Sequence, residues 1–158
     1  MRRNFRALLL VSAVASLLAG STSAASAMTM SLGEPSLTAK VLVSVPLTVS
    51  CAPFDPSLTP FSSSAGVSIE QAVGKSIARG SGSLFTSYPA ALAFPCDNAD
   101  HTVAVDVVAD PAGPPFKRGA AVVRGSVFTS AAQQCGPTCF FNFTSQSATV
   151  GPTAMKIH

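Results

Sequence analysis

Tryptophan is absent from this chain of 158 residues, tyrosine occurs once, and charged residues make up only 11% of the sequence. With Tyr88 as its single tyrosine, the chain lacks the aromatic platform on which proteins stack sugars or single-stranded nucleic acid. Catalysis requires titratable side chains gathered in a cleft, and the serines include no Gly-x-Ser-x-Gly elbow. These shortages argue against an enzyme and favour a binding or structural role.

No apolar run reaches the roughly 20 residues that a membrane-spanning helix needs. The main run extends from Ala7 to Ala19, after the basic start Arg2-Arg3-Asn4-Phe5-Arg6 and before a small-residue stretch that ends Ala25-Ser26-Ala27. This order predicts a cleaved secretory signal peptide over residues 1–27, with twin-arginine export as the alternative to the general route. We therefore expect a secreted protein, extracellular or periplasmic, that has no membrane anchor in its mature form.

Neither sign of charge dominates once that segment is removed. Three of the ten Lys and Arg residues lie within it, which leaves seven basic residues against seven acidic ones. The basic sequence pI of about 8.9 therefore comes from the targeting segment. Nucleic-acid binding needs a basic face on the folded domain, so we expect no nucleic-acid partner.

Residues 28–39 are small and polar and include proline and glycine, which predicts a flexible leader ahead of one domain at residues 40–158. Within that domain, apolar and polar residues alternate as they do in half-buried strands. The first alternating stretch covers residues 41–51. Pro46 lies inside it and indicates an edge strand or a break, because proline cannot donate to a sheet ladder.

The rest of the chain continues the all-β pattern, and no long helical period is present. Residues 66–73 and 76–86 flank a turn at Gly74-Lys75 and are predicted to form a hairpin. Further candidate strands cover residues 102–110, 119–130 and 139–150. We therefore expect an immunoglobulin-like antiparallel β-sandwich of about 6–8 strands. The buried tryptophan of true immunoglobulin domains is missing, so this resemblance is one of architecture.

The chain has four cysteines, Cys51, Cys96, Cys135 and Cys139. In an exported protein an even number of cysteines is expected to pair, and three pairings are possible. Both Cys51 and Cys96 share the parity of neighbouring apolar residues, so the spacing favours a Cys51–Cys96 bridge with a small local loop closed by Cys135 and Cys139. The alternative is metal binding by the last two cysteines, but a zinc site needs about four ligands and only His101 and His158 could add to them. We expect neither a metal nor a cofactor.

The one local concentration of charged side chains is Asp97-Asn98-Ala99-Asp100-His101. Its carboxylates could bind calcium, or an Asp–His pair could transfer a proton, but the EF-hand spacing is missing and the composition is typical of an Asx-rich turn. In the last predicted strand, Phe141 and Phe143 are expected to face the core, which would leave Phe140 exposed. The candidate binding residues are Asp97, Asp100, His101 and Phe140.

The leading hypothesis is a secreted, disulfide-stabilised, non-enzymatic binding or structural module that acts on an unidentified protein or cell-surface partner. A second is a secreted serine-protease inhibitor, because Leu47 to Pro53 and Ser126 to Thr129 resemble pieces of the bacterial subtilisin-inhibitor family. This hypothesis predicts that a loop such as 111–118 or 134–139 blocks a protease, although that family spaces its first two cysteines more closely and its reactive loop has no match here. A third is a secreted hydrolase, in which His101 and an aspartate would converge on a serine.

Overall fold

The computed structural model describes residues 28–158, and these residues form eight β-strands and no helix. Accordingly, no helix in this range has the length and apolar character needed to cross a membrane. The predicted signal peptide at residues 1–27 lies outside the described residues. The strands, numbered in chain order, are β1 (Thr29–Leu32), β2 (Ser36–Ala39), β3 (Leu42–Ser50), β4 (Thr59–Val73), β5 (Ser76–Ser87), β6 (His101–Ala109), β7 (Gly119–Gly136) and β8 (Cys139–Ile157).

All eight strands belong to one antiparallel sheet with the order β1-β3-β6-β5-β4-β7-β8, in which β2 also pairs with β3. The sheet curls until its two ends meet, so it is nearly closed and barrel-like. Where the ends meet, the N–H of Leu37 donates to the His158 carbonyl at 2.9 Å, and the N–H of His158 donates to the Pro35 carbonyl at 3.0 Å. The prediction of an all-β antiparallel domain is confirmed, and its strands form a continuous sheet.

The core lies inside the curved sheet and comes from the period-two pattern of the sequence. In β3, every second residue from Val43 to Val49 is at most 1% exposed. Strands β4, β6 and β7 likewise turn odd-numbered residues, such as Ile69, Val105 and Val123, toward the core. The largest buried side chains include Leu47, Ile69, Phe94, Val105, Val107, Phe116 and Val123. Full burial of each such side chain stabilises the fold by roughly 1.5–3 kcal/mol before entropy is counted.

Residues 28–39 are not a flexible leader, and that prediction was wrong. Strands β1 and β2 both pair with β3, and the side chains of Met30 and Leu32 pack against the core. Pro46 explains why they are two short strands. Opposite Pro46 the edge chain leaves the ladder at Gly33, whose N–H donates to the Pro46 carbonyl at 2.8 Å. The break expected at Pro46 therefore falls in the neighbouring chain, while β3 continues through it.

The predicted hairpin around Gly74-Lys75 is confirmed as β4 and β5, and the three later strand predictions correspond to β6, β7 and β8. Strand β5 then passes close to β6 and pairs with it at two positions, Gly80 with Ala109 and Ser81 with Val108. A side chain at Gly82 would overlap the backbone of Asp106, so this close crossing requires glycine.

Candidate functional site

One end of the barrel carries the longest loop of the described chain, residues 88–100, together with a second loop and a tight turn. Strands β3, β5 and β7 end there and β4, β6 and β8 begin there, so loops 51–58 and 88–100 and the turn at 137–138 lie at the same end. We call this the loop end. The four candidate residues, Asp97, Asp100, His101 and Phe140, all belong to it.

A cleft of about 600 Å³ opens at the loop end between loops 51–58 and 88–100. We call it the loop cleft. Its walls are mostly proline, alanine, leucine and phenylalanine, and Asp55 is the one charged residue among them. The lining residues are Pro53, Phe54, Asp55, Pro56, Leu58, Pro60, Ala90, Ala91, Leu92, Pro95 and Cys96. Its volume lies within the roughly 300–1,000 Å³ that ligand sites usually have.

A disulfide joins the two walls of the loop cleft. Cys51 is bonded to Cys96, as the sequence predicted, with the two Cα atoms 4.8 Å apart. Beside this bridge, the N–H of Asn98 donates to the Cys51 carbonyl at 3.0 Å. Because Cys51 is only 2% exposed at the end of β3, the bridge ties loop 88–100 to the core.

Beneath the loops, a row of polar side chains crosses the inner face of four neighbouring strands. The row consists of Thr86 in β5, Ser63 in β4, Thr129 in β7 and Gln146 in β8. The hydroxyls of Ser63 and Thr86 are 2.8 Å apart, and the N–H of Ala93 donates to them at 2.8 and 2.9 Å. At the far end, Gln146 Nε2 donates to the Ala52 carbonyl at 2.8 Å. The row therefore fixes one wall of the cleft through Ala93 and the other through Ala52.

Four aromatic rings pack together at the loop end. Phe61 lies 5.0 Å from Phe140 and 5.1 Å from Phe143 between ring centroids, and Tyr88 lies 5.2 Å from Phe140. The rings meet tilted or edge to face, the arrangement that the charge distribution of aromatic rings favours. The backbone N–H of Tyr88 also donates to the Phe61 carbonyl at 2.7 Å. We call these four residues the aromatic cluster.

The prediction that Phe141 and Phe143 face the core was wrong. Their exposed fractions are 42% and 58%, whereas Phe140 is half-buried. Phe141 and Phe143 share the parity of Ser145 and Ser147, which are exposed, whereas Gln146 turns inward. A β-bulge at Asn142, whose φ is 51°, adds one residue to β8 where the register with β7 shifts, so Phe140 and Phe143 contact the same ring although they are three positions apart.

The structure brings Asp97 and His101 together and leaves Asp100 outside their contact. His101 Nε2 lies 2.8 Å from Asp97 Oδ1, and the N–H of Ala99 donates to the same oxygen at 2.9 Å. The hydrogen bond from His101, followed by that from Ala99, lowers the pKa of Asp97 below its ordinary value of 3.8. These bonds close an Asx turn ahead of β6, and within residues 28–158 no serine hydroxyl bonds to His101.

Charge is divided between the two ends of the barrel. The loop end carries the carboxylates of Asp55, Asp97 and Asp100 and has no lysine or arginine. The Ser57 hydroxyl and N–H donate to Asp55 at 2.7 and 2.8 Å and lower the pKa of that carboxyl. Every lysine and arginine of residues 28–158, like the four remaining acidic residues, lies outside the loop end: Lys40, Lys75, Arg79, Lys117, Arg118, Arg124 and Lys156.

Strands β7 and β8 continue past their neighbours to a hairpin tip. The predicted Cys135–Cys139 bridge closes this tip, with the two Cα atoms 5.2 Å apart. Gln134 Nε2 donates to the Gly136 carbonyl at 3.1 Å and braces the turn from one side. Pro137 and Thr138 are exposed, so the tip is a short, cross-linked loop that stands clear of the core.

A second depression of about 480 Å³ lies on the outer face of the sheet, across β4, β5, β6 and β7. It contains Arg79 and Glu70, whose Nε and Oε1 atoms are 3.2 Å apart, and both side chains are more than half exposed. Exposed ion pairs of this kind contribute little to the stability of a folded protein. Among residues 28–158 there is also no group of three or more His, Cys, Asp or Glu side chains placed to hold a metal ion.

Sequence reasoning identified the acidic loop but missed the apolar residues around it. Phe54, Leu58 and Leu92 line the loop cleft, and Phe61 and Tyr88 complete the aromatic cluster. The sequence did carry a signal for these residues, because apolar side chains stand among the prolines of inter-strand segments, where polar residues are more usual. Comparisons of the chain with protein-family models, curated proteins and solved structures find no match.

Proposed function

We propose that the chain is an exported, non-enzymatic binding module that uses the loop cleft to hold an apolar, positively charged segment of a partner protein. The loop cleft is the observation that carries this proposal. It is an apolar opening of about 600 Å³ whose two walls are held by a disulfide and by hydrogen bonds to Ala52 and Ala93. A site that is already fixed in shape loses little conformational entropy when it binds.

Exposed aromatic side chains enlarge this surface. Pro60 and Ala90 line the loop cleft. Phe61 directly follows Pro60 in the chain, and Tyr88 lies two residues before Ala90. Tyr88 is 38% exposed and Phe143 58% exposed. Contiguous exposed apolar surface on a protein domain marks a contact site, and aromatic anchors supply most of the energy at such sites.

The charge at the loop end supports a basic partner. Asp55, Asp97 and Asp100 are the formally charged groups there, and hydrogen bonds lower the pKa of the first two, so both remain ionised at neutral pH. A lysine or arginine beside an apolar anchor would meet complementary charge, whereas an acidic segment would be repelled. The partner segment is therefore expected to combine apolar and basic residues.

Export is supported by both cross-links. Cys51–Cys96 and Cys135–Cys139 account for all four cysteines, and disulfides persist in oxidising compartments outside the cytosol. This agrees with the signal peptide expected at residues 1–27 and with a released, extracellular or periplasmic protein.

The proposal extends to an immunoglobulin-like arrangement of the strands. In order, β1, β3 and β6 correspond to strands A, B and E of that architecture, and β5, β4, β7 and β8 correspond to C′, C, F and G. The two groups are joined through the two paired positions of β5 and β6. So narrow a junction supports a description as two facing sheets over one core.

Selection of displayed peptides against the folded protein tests the binding proposal. We expect the enriched peptides to combine apolar residues with lysine or arginine and to lose binding to Leu58→Arg, which places a like charge in the loop cleft. Ile77→Arg is the matched control, because Ile77 is equally apolar and is 49% exposed at the opposite end of the barrel. Asp55→Asn should weaken binding without abolishing it.

Two results would contradict the proposal. One is a selection that enriches no peptide above background. The other is a set of peptides that bind Leu58→Arg as well as they bind the unchanged protein, because the contact would then lie elsewhere on the surface. Circular dichroism of each variant shows whether the sheet is intact.

Inhibition of a serine protease is the second candidate function, and the hairpin tip is the observation that favours it. A short exposed loop closed by Cys135 and Cys139 has the constrained backbone that a protease can bind but cleaves slowly. Stoichiometric inhibition of a subtilisin-like or trypsin-like protease, lost in Thr138→Asp and kept in Leu58→Arg, would favour this function. Rapid cleavage at the tip would exclude it.

A further inference from the structure

The end of the barrel opposite the loop end has the reverse electrostatic character. The turns at 40–41 and 74–75 and loop 110–118 lie at this end, which we call the turn end. Their charged side chains, all of them exposed, are one acidic residue and four basic ones: Asp110, Lys40, Lys75, Lys117 and Arg118. The loop end, in contrast, carries three side-chain carboxylates and neither lysine nor arginine. The two ends of one molecule are therefore complementary in charge.

The turn between β2 and β3 combines a basic and an apolar side chain. Ala39 pairs with Leu42, so the turn consists of Lys40 and Val41, which we call the turn tip. Val41 is 52% exposed, and Lys40 beside it is exposed as well. Tight turns are normally built from glycine, proline, asparagine, aspartate and serine, so an exposed valine is unusual there. The turn tip therefore has the composition that we expect of a segment bound in the loop cleft.

Hydrogen bonds on both sides hold the turn tip in place. The carbonyl of Val41 accepts the N–H of Ala109, at the end of β6, at 2.8 Å. Thr38 Oγ1 donates to the Leu42 carbonyl at 3.2 Å. The loop cleft is likewise fixed by its disulfide and by the hydrogen bonds beneath it. Because neither surface has to become ordered on contact, little conformational entropy is lost when the two meet.

We propose that the turn tip of one copy of this chain binds in the loop cleft of the next copy. Val41 contacts the apolar walls, and Lys40 lies near Asp55, the one charged residue among them. A second copy is favoured as the occupant because the chain carries both complementary surfaces. Residues 28–158 also contain seven basic and seven acidic residues, so no net side-chain charge keeps the copies apart. The inference rests on the proposed function, since it names the partner of the loop cleft.

This contact is heterologous, because it joins two different surfaces that lie at opposite ends of the barrel. Each copy that joins the assembly brings one turn tip and one loop cleft, so an unoccupied tip and an unoccupied cleft always remain at its two ends. Association therefore continues by addition and does not stop at a pair. The resulting assembly is linear and grows with protein concentration. Salt screens the attraction between exposed charges, so the assembly weakens as the ionic strength rises.

Sedimentation velocity of the protein, as the producing cell releases it, tests the inference. We expect dimers, trimers and longer species whose proportion rises with concentration. Leu58→Arg blocks the loop cleft and Val41→Asp blocks the turn tip, so each should weaken association at least about tenfold. An equimolar mixture of these two variants should recover a dimer and nothing longer, because the intact tip of the first fits the intact cleft of the second. Val122→Asp is the matched control, because Val122 is 38% exposed on β7, away from both surfaces.

Peptides selected for the loop cleft give a readout on the unchanged protein, because they should compete with the turn tip and return the assembly to monomers. A protein that stays monomeric while such peptides occupy its cleft overturns this inference and leaves the proposed function intact. Assembly that Leu58→Arg, Val41→Asp and Val122→Asp weaken equally also overturns it, as does an equimolar mixture of the first two that remains monomeric. The proposed function fails separately, when no selected peptide binds the loop cleft.

Discussion

At the scale of single residues, Asp97 offers a direct test of the loop-end geometry. We expect its carboxyl pKa, measured by ¹³C NMR titration, to lie below 3.8, because His101 and the N–H of Ala99 both donate to the carboxylate. A folded-state pKa below the unfolded value contributes stability above pH 3.8 that is lost as the pH falls through the folded-state pKa. His101→Ala should return the midpoint toward 3.8, and Ser57→Ala should not move it. A native midpoint at or above 3.8 would contradict the arrangement.

Ser63 tests the polar row beneath the loops. Its hydroxyl is fully buried and accepts the N–H of Ala93 at 2.8 Å, so Ser63→Ala weakens the attachment of loop 88–100. We expect the free energy of unfolding in urea to fall by about 1–3 kcal/mol. Ser68→Ala, in the same strand but exposed, should change it by less than about 0.5 kcal/mol. Equal effects from the two substitutions would mean that the row does not hold the loop.

The local chemistry of individual residues was partly predictable. The Asx turn at Asp97 follows from side chains that bond to the backbone two residues ahead, which is a short-range property of the sequence. The exposure of Phe141 and Phe143 did not follow from their apolar character, because they share the parity of the exposed residue Ser145, whereas Gln146 turns inward. Asparagine is enriched at positive φ, so Asn142 was an available signal for the bulge, but its effect depends on the register with β7.

At the scale of secondary-structure elements, the bulge at Asn142 shapes the aromatic cluster. Asn142→Val should destabilise the protein by about 1–2 kcal/mol, because a side chain other than glycine or asparagine is strained at a φ of 51°. Asn142→Gly should be nearly neutral, since the bond from Asn142 Nδ2 to Gln133 is exposed. Thr144→Val, two residues on and outside the bulge, serves as the control. If urea unfolding gives the same free energy of unfolding for Asn142→Val and Asn142→Gly, the bulge is contradicted.

The strands themselves were predicted well wherever apolar residues alternate, as in β3 and in the β4–β5 hairpin. Strands β1 and β2 were missed because four-residue edge strands carry too few residues to show a period. Their pairing depends on β3, which supplies the ladder and a core for Met30 and Leu32. Tertiary context of this kind cannot be read from local composition.

At the scale of the whole molecule, the two disulfides should contribute unequally. Cys51 and Cys96 are 45 residues apart and Cys135 and Cys139 are 4 apart. Loss of loop-closure entropy in the unfolded chain predicts a stabilisation of about 4 kcal/mol for the first and about 2 kcal/mol for the second. Urea unfolding of the two double cysteine-to-alanine variants measures both values. A larger loss from the Cys135–Cys139 pair would show that chain entropy does not set the order.

The composition of the loop end emerges only from the whole fold. Pairing of Cys51 with Cys96 follows from spacing and parity, but nothing local indicates that loops 51–58 and 88–100 enclose a cleft. Their approach depends on the strand order, which places β3 and β6 side by side and brings β8 close enough for Gln146 to reach Ala52. Contacts between residues so far apart in sequence are set by topology rather than by local pattern.

Tyr88 gives the loop end a property of a different kind. The chain has no tryptophan and no other tyrosine, so tyrosine emission under ultraviolet excitation arises from this one ring. The ring lies 5.2 Å from that of Phe140. Tyr88 also comes two residues before Ala90, which lines the loop cleft. The protein therefore carries a single built-in optical reporter at its proposed contact site, and occupation of that site can be followed without any added label.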